Sequence, residues 1–201
     1  MDSLAARLAQ VPAATECGQW QRHVGVRHVH QALDGRAGKG RWGTPHGFPV
    51  LYLGRPRESV VVEAYRHLVD PLEFDSPSER ETFLDNLIPR VLVTCAVDVT
   101  GLLDLRTAFG RAQAGLTPQD LTSATTDAGA SARCQNVAQV AHQLNRHGII
   151  APAATELGET LALFMDLLPN AERPQRSRAD EAWHRLPADP RGDTRHLRAV
   201  R

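Results

Sequence analysis

A single α+β domain is the fold class predicted by three features of this 201-residue sequence. Strand-like and helix-like segments mix without regular βαβ alternation, no segment repeats internally, and the length suits one hydrophobic core.

The elements follow in order. LAARLAQ predicts a short helix, with Leu4, Leu8 and Val11 at helical spacing and Pro12 ending it. Residues 19–30, QWQRHVGVRHVH, alternate in part and predict one strand or two fragments. Residues 34–47, DGRAGKGRWGTPHG, are dense in glycine and predict a loop that can bring backbone close to a ligand. FPVLYL predicts a short strand, apolar on both faces, with Pro49 near its start, where a missing donor costs least.

RESVVVEAYRHL predicts a helix whose buried stripe is Val60, Val61, Ala64 and Leu68, with Glu63 on the flank of that stripe. In SPSERETFLDNL, Ser76 is placed as an N-cap and Pro77 at the first helical position. Residues 90–99, RVLVTCAVDV, carry the strongest strand signal, and GLLDLR continues it. A small helix is expected after Thr107, then a loop over residues 122–132. In RCQNVAQVAHQLNRHG, Val137, Val140, Ala141 and Leu144 share a helical face, and Gly148 is expected to end the helix. IIAPAA and TLALFMDLL read as closing strands. From Asn170 the chain is rich in Arg, Pro and Asp, which predicts a loosely packed tail with one strand around Trp183.

The formal net charge is zero, so no whole-molecule field favours nucleic acid or an anionic membrane, and any grip on phosphate must be local. Cys17, Cys95 and Cys134 are odd in number and far apart, without the spacing of a zinc site, which suits a reduced cytoplasmic protein. No continuous apolar run suggests a signal peptide or a membrane span. His28 and His30 are spaced like same-face strand residues but have no third ligand in register, so no metal is expected.

Taken singly, the polar candidates have ordinary readings: Arg41 as a surface arginine, Tyr52 as a core tyrosine, Glu63 as a solvated helix residue. Their combination suggests more. A glycine loop bearing an arginine offers backbone donors and a guanidinium fork for a diphosphate. A tyrosine offers a flat face for a ring, and a lone carboxylate can stabilise positive charge developing on a sugar carbon.

The string RW, then FPVLYL, then RESVVVEAYR resembles the RES-domain toxins of bacterial toxin–antitoxin systems, whose pattern is an arginine–tryptophan pair, a PxxYL strand and a helix bearing a glutamate. CQNVAQVAHQLNRHGIIAPAA is similar to the distal helix and strand of that family, and the resemblance spans roughly Trp20 to Phe164. It implies a curved split β-sheet with flanking helices, similar to ADP-ribosyltransferases. Residues 1–169 would be an NAD-binding catalytic domain and 170–201 a tail.

The implied activity is NAD depletion by hydrolysis or phosphorolysis of the nicotinamide–ribose bond, the alternative being transfer of ADP-ribose to a protein or metabolite. NAD is then the substrate, with no cofactor and with water or inorganic phosphate as acceptor. The implied partner is an antitoxin with an Xre-like helix-turn-helix domain that covers the active site, in a homodimer or hetero-oligomer. The resemblance assigns the family's functional residues to Arg41, Tyr52 and Glu63, with Arg22 as a second phosphate contact. His23 stands where some relatives have tyrosine, and the family serine falls nearest Ser131, with Thr125 and Thr126 as other hydroxyls in reach.

Overall fold

The structure, a computed structural model, describes residues 3–123 and 126–192. Helix α1 (Leu4–Ala9) is capped by the Ser3 side chain and leads into β1 (Ala13–Gly25). β2 (Val50–Arg55) follows the glycine loop, then α2 (Arg57–Leu68) and α3 (Pro77–Asp85). β3 (Arg90–Asp104) is the longest strand. Helices α4 (Ala108–Ala114), α5 (Pro118–Thr122) and α6 (Ala128–Gln143) come next. β4 (Gly148–Pro152), β5 (Glu159–Phe164), β6 (Gln175–Arg176) and β7 (Glu181–Trp183) complete the sheet.

The seven strands form one mixed sheet in two halves. β1 and β3 pair antiparallel along almost their whole lengths, from Ala13 opposite Leu103 to Gly25 opposite Arg90. β5 lies between β2 and β4, antiparallel to both. The halves join where Leu102–Asp104 runs parallel to Gly148–Ile150, and again at Gln21 opposite Gly54. Beyond Gln21 the edge of β1 has no strand partner in β2, which opens the split. Between the halves lies an apolar layer of Trp20, Leu51, Leu53, Val97, Ile150 and Leu161. Period-two alternation sends the intervening residues, Val50, Ile149, Ala162 and Phe164, to the opposite face against α6.

Four expectations change. The 19–30 strand begins earlier, at Ala13, and stops at Gly25; Val26–Gln31 is a 3-10 turn. The ladder ends there because the partner strand starts at Arg90, and the Val26 N–H bonds the carbonyl of Pro89 instead. His28 and His30 therefore sit on a turn. The expected loop 122–132 is mostly helical: α5 ends at Thr122 and α6 begins at Ala128, capped by Asp127. Gly148 opens β4 and does not end the helix; Asn145 takes the left-handed conformation, with φ 55°. A Cβ at Gly148 would lie 2.3 Å from the Ala162 carbonyl oxygen, so the glycine serves close strand approach. Past Asn170, β6 and β7 both pair with β3, and Trp183 and Leu186 are buried against α2 and α3.

Candidate active site

The glycine loop is tied to its surroundings from Gly40 to Gly43. The Gly40 N–H bonds the Gly43 carbonyl at 3.0 Å, making a tight turn that carries Arg41 and the buried Trp42. The Trp42 N–H donates to the Tyr52 hydroxyl at 2.9 Å, and a Cβ at Gly40 would come within 2.7 Å of that oxygen. From α6, Gln135 Nε2 donates to the carbonyls of Gly40 (2.9 Å) and Gly43 (3.2 Å). The turn, Tyr52 and α6 thus form one rigid wall.

Arg41 is 8 % exposed, and its two terminal nitrogens donate to the carbonyls of Asp120 and Ser123. Asp120 anchors that turn in a capping box with Thr117 and pairs with Arg133. The Arg133 bonds, helped by Thr117, hold the Asp120 carboxyl down at about 2.

Glu63 faces this wall from α2, where Val60, Val61 and Ala64 bury the helix and leave position 63 half-buried at the flank. Among the described residues its carboxylate has no hydrogen bond or ion pair. It is close enough to act on two neighbours. Burial pushes the Tyr52 phenol well above its usual range, and the Glu63 charge adds to this against the Trp42 N–H and Arg41. Burial lowers the Arg22 pKa, and Glu63 opposes that shift. Arg22 projects from β1 at the split and donates to the carbonyls of Ala32 (3.1 Å) and Asp34 (3.5 Å). Arg22, Arg41, Tyr52 and Glu63 are therefore brought to one cleft.

His23 and Ser131 are the remaining candidates. His23 follows Arg22 on β1 and so projects to the other face of that strand, the face that Gln21 shares with Gly54 of β2 and hence with Tyr52. There its Nδ1 meets Arg90 Nη2 at 3.0 Å, and its ring lies nearly parallel to Trp183, 6.3 Å between centroids. Burial, then the nearby Arg90 charge, lowers its pKa to about 3. Ser131 is buried in the first turn of α6, one turn before Gln135. Thr126 is exposed just ahead of that helix, and Thr125 lies outside the described residues.

A hollow of about 150 Å³ adjoins the loop, lined by Trp42, Thr44, His46, Gly47, Phe48, Gln135 and Gln139. A larger one of about 360 Å³ lies elsewhere, against Tyr65, Arg80 and Arg185. Tyr65 is two residues from Glu63 and so on the far side of α2. Because it touches none of the cleft residues, the larger hollow is not the candidate site.

Residues 19–186 match the model of the RES domain family. The chain belongs to the RES-domain family. The match takes in every residue of the cleft. Among solved structures, this RES-domain chain is similar to the toxin MbcT in one described as the crystal structure of the M. tuberculosis MbcT–MbcA toxin–antitoxin complex. The TM-score is 0.70 at 24 % identity, covering 89 % of this chain and 91 % of that one, a likeness of fold. No curated protein matches the sequence. No helix among the described residues is long and apolar enough to cross a membrane.

Sequence reasoning singled out four residues of the cleft but missed the groups that fix them. Gln135 follows Ser131 by four residues, a same-face spacing that could have drawn attention to it. Thr117 and Asp120, in TPQD, carry a readable capping-box signal. Arg90 carries no local signal, since its partner His23 is 67 positions away.

Proposed function

We propose that this RES-domain protein is the toxin of a toxin–antitoxin pair and degrades NAD at the nicotinamide–ribose bond. The observation that carries the reading is the Glu63 carboxylate, half-buried, without a partner among the described residues, and opposite Tyr52 and Arg22. Leaving a carboxylate half-desolvated without a bonded counter-charge costs stability, and a cationic transition state provides the missing charge.

In this mechanism the bond between ribose C1 and the pyridinium nitrogen breaks, and its electron pair leaves with nicotinamide. The positive charge left on the ribose is stabilised by Glu63. Water or inorganic phosphate then adds to C1 and gives up a proton, yielding ADP-ribose or its 1-phosphate. Tyr52 packs beside the nicotinamide ribose, with its hydroxyl oriented by the Trp42 N–H. Arg22, together with the N–H groups of Arg41 that do not bond Asp120 and Ser123, faces the diphosphate. Ser131, one turn from Gln135, is a further substrate contact from α6.

The partner in this reading is a cognate antitoxin with a helix-turn-helix domain that covers the cleft, and both act in the cytoplasm. Membership of the RES family and the likeness of fold to MbcT support the assignment. Incubating purified protein with NAD, with and without phosphate, tests it. Release of nicotinamide with ADP-ribose or its phosphate is expected; NAD left intact overturns the reading, and label retained on a macromolecule would make the reaction a transfer.

A further inference from the structure

Arg90 is the first residue of β3 and lies opposite Gly25 on β1. A Cβ at Gly25 would stand 3.6 Å from Arg90 Nη1 and 3.9 Å from His28 Cδ2, so the guanidinium lies across a stretch of strand that carries no side chain. Its Nη2 reaches His23 Nδ1 at 3.0 Å, and its Nε is buried without a hydrogen-bond partner. Because His23 is neutral near pH 7, its Nδ1 can accept from Arg90 while leaving the guanidinium charge uncompensated.

Three other half-buried arginines are paired differently. Arg55, Arg106 and Arg191 each hold two or more carboxylates. Among the described residues Arg90 has none, and the charge that bears on it is another guanidinium, that of Arg22. Arg36 adds to the same field from the loop, while at Arg22 the unbonded charges of Glu63 and Asp34 oppose it. Like charges gathered in a partly desolvated place destabilise a fold unless an anion joins them. In a chain of zero net charge this concentration is local, and it borders the split beside Glu63.

We infer that Arg90 is a further phosphate-binding residue of the cleft, laid across Gly25 and oriented by His23, which contacts the diphosphate of the dinucleotide jointly with Arg22. The inference rests on the reading of the cleft as an NAD site and adds a direction to it. The nicotinamide ribose lies at Glu63, whose charge repels phosphate, and the diphosphate extends away from it towards Arg22 and Arg90. His23 is then a positioning residue acting through Arg90, which accounts for a buried neutral imidazole next to a substrate-binding arginine.

Calorimetric titration of the purified protein with ADP and, separately, with adenosine tests this. Arg90→Gln is expected to weaken ADP binding about tenfold or more, since a charge-assisted phosphate contact is lost, and to leave adenosine affinity unchanged. His23→Phe keeps a ring beside Trp183 but removes the acceptor, so ADP binding should weaken several-fold, again with adenosine unchanged. Should Arg90→Gln fail to fold, His23→Phe carries the test alone. Parental ADP affinity in the folded variants, equal losses for ADP and adenosine, or no ADP binding by the parent overturns the inference. A parent protein that discriminates ADP through Arg90 yet leaves NAD intact would sink the NAD reading while the anion site stands. NAD turnover with an unchanged KM in Arg90→Gln would sink the anion site while the NAD reading stands.

Discussion

Two arginine clusters lie in this sheet and treat charge in opposite ways. At one, Arg55 Nη1 meets Glu16 at 2.7 Å and its Nε meets Glu159 at 2.8 Å, while its guanidinium covers Trp20 at 4.2 Å. Arg106 pairs with Asp104 at 2.8 Å and reaches Glu16 and Glu159 at 3.3 Å each. Glu16, 7 % exposed, has a cation on each oxygen. At the other cluster, Arg22 and Arg90 have only carbonyls and a neutral imidazole as bonded partners, and Glu63 has none among the described residues. The first cluster is closed, so its charges belong to the fold. The second is open, and its free valences are where a ligand would have to supply the counter-charges.

The comparison breaks most directly at Glu63. Glu63→Gln is expected to lower NAD turnover by about two orders of magnitude or more, with NAD affinity little changed and stability within about half a kcal/mol of the parent. Steady-state kinetics beside thermal unfolding checks this, and parental turnover in the folded variant would return Glu63 to the solvated surface. Glu16→Gln should do the reverse. It removes a buried carboxylate shared by two partly exposed arginines, at a cost of about 2–3 kcal/mol in denaturant unfolding, with turnover per folded molecule unchanged.

His23 offers a pH test. Its folded pKa, about 3, lies below the ordinary value of 6.5, so between those values the unfolded chain binds a proton that the folded chain does not. Stability attributable to His23 is therefore full above about pH 6.5 and lost as the pH falls towards 3. His23→Phe should flatten that loss, by about 1–2 kcal/mol at pH 5, in unfolding curves taken across the range; parallel curves would show His23 to be solvated. The smallest effect is expected at Tyr52. Tyr52→Phe leaves the Trp42 N–H without its acceptor and should cost about 1 kcal/mol, read as a lowered denaturation midpoint.

Much of the local architecture was legible from neighbouring residues. Ser76 caps α3 with Pro77 at its first turn, Thr107 caps α4, and the stripe of Val60, Val61 and Ala64 builds α2 where the pattern placed it. The order of Arg41, Tyr52 and Glu63 on loop, strand and helix was legible too. Two of the failures share a cause. The Val26–Gln31 turn follows from where β3 begins, and the role of Gly148 follows from the proximity of Ala162, neither of which is written nearby in the chain.

By itself, then, the sequence determined the helices with their caps, the apolar alternation of the strands and the residues that resemble a RES site, because those depend on spacings of a few residues. Only the tertiary structure decided which arginines find carboxylates. Glu16 lies 90 positions from Arg106 and His23 lies 67 from Arg90, and these pairs meet because β1 and β3 run antiparallel, in a register that shifts between Ala14 and Glu16. Charge compensation depends on distance in space and on burial, and neither is fixed until the strands have paired.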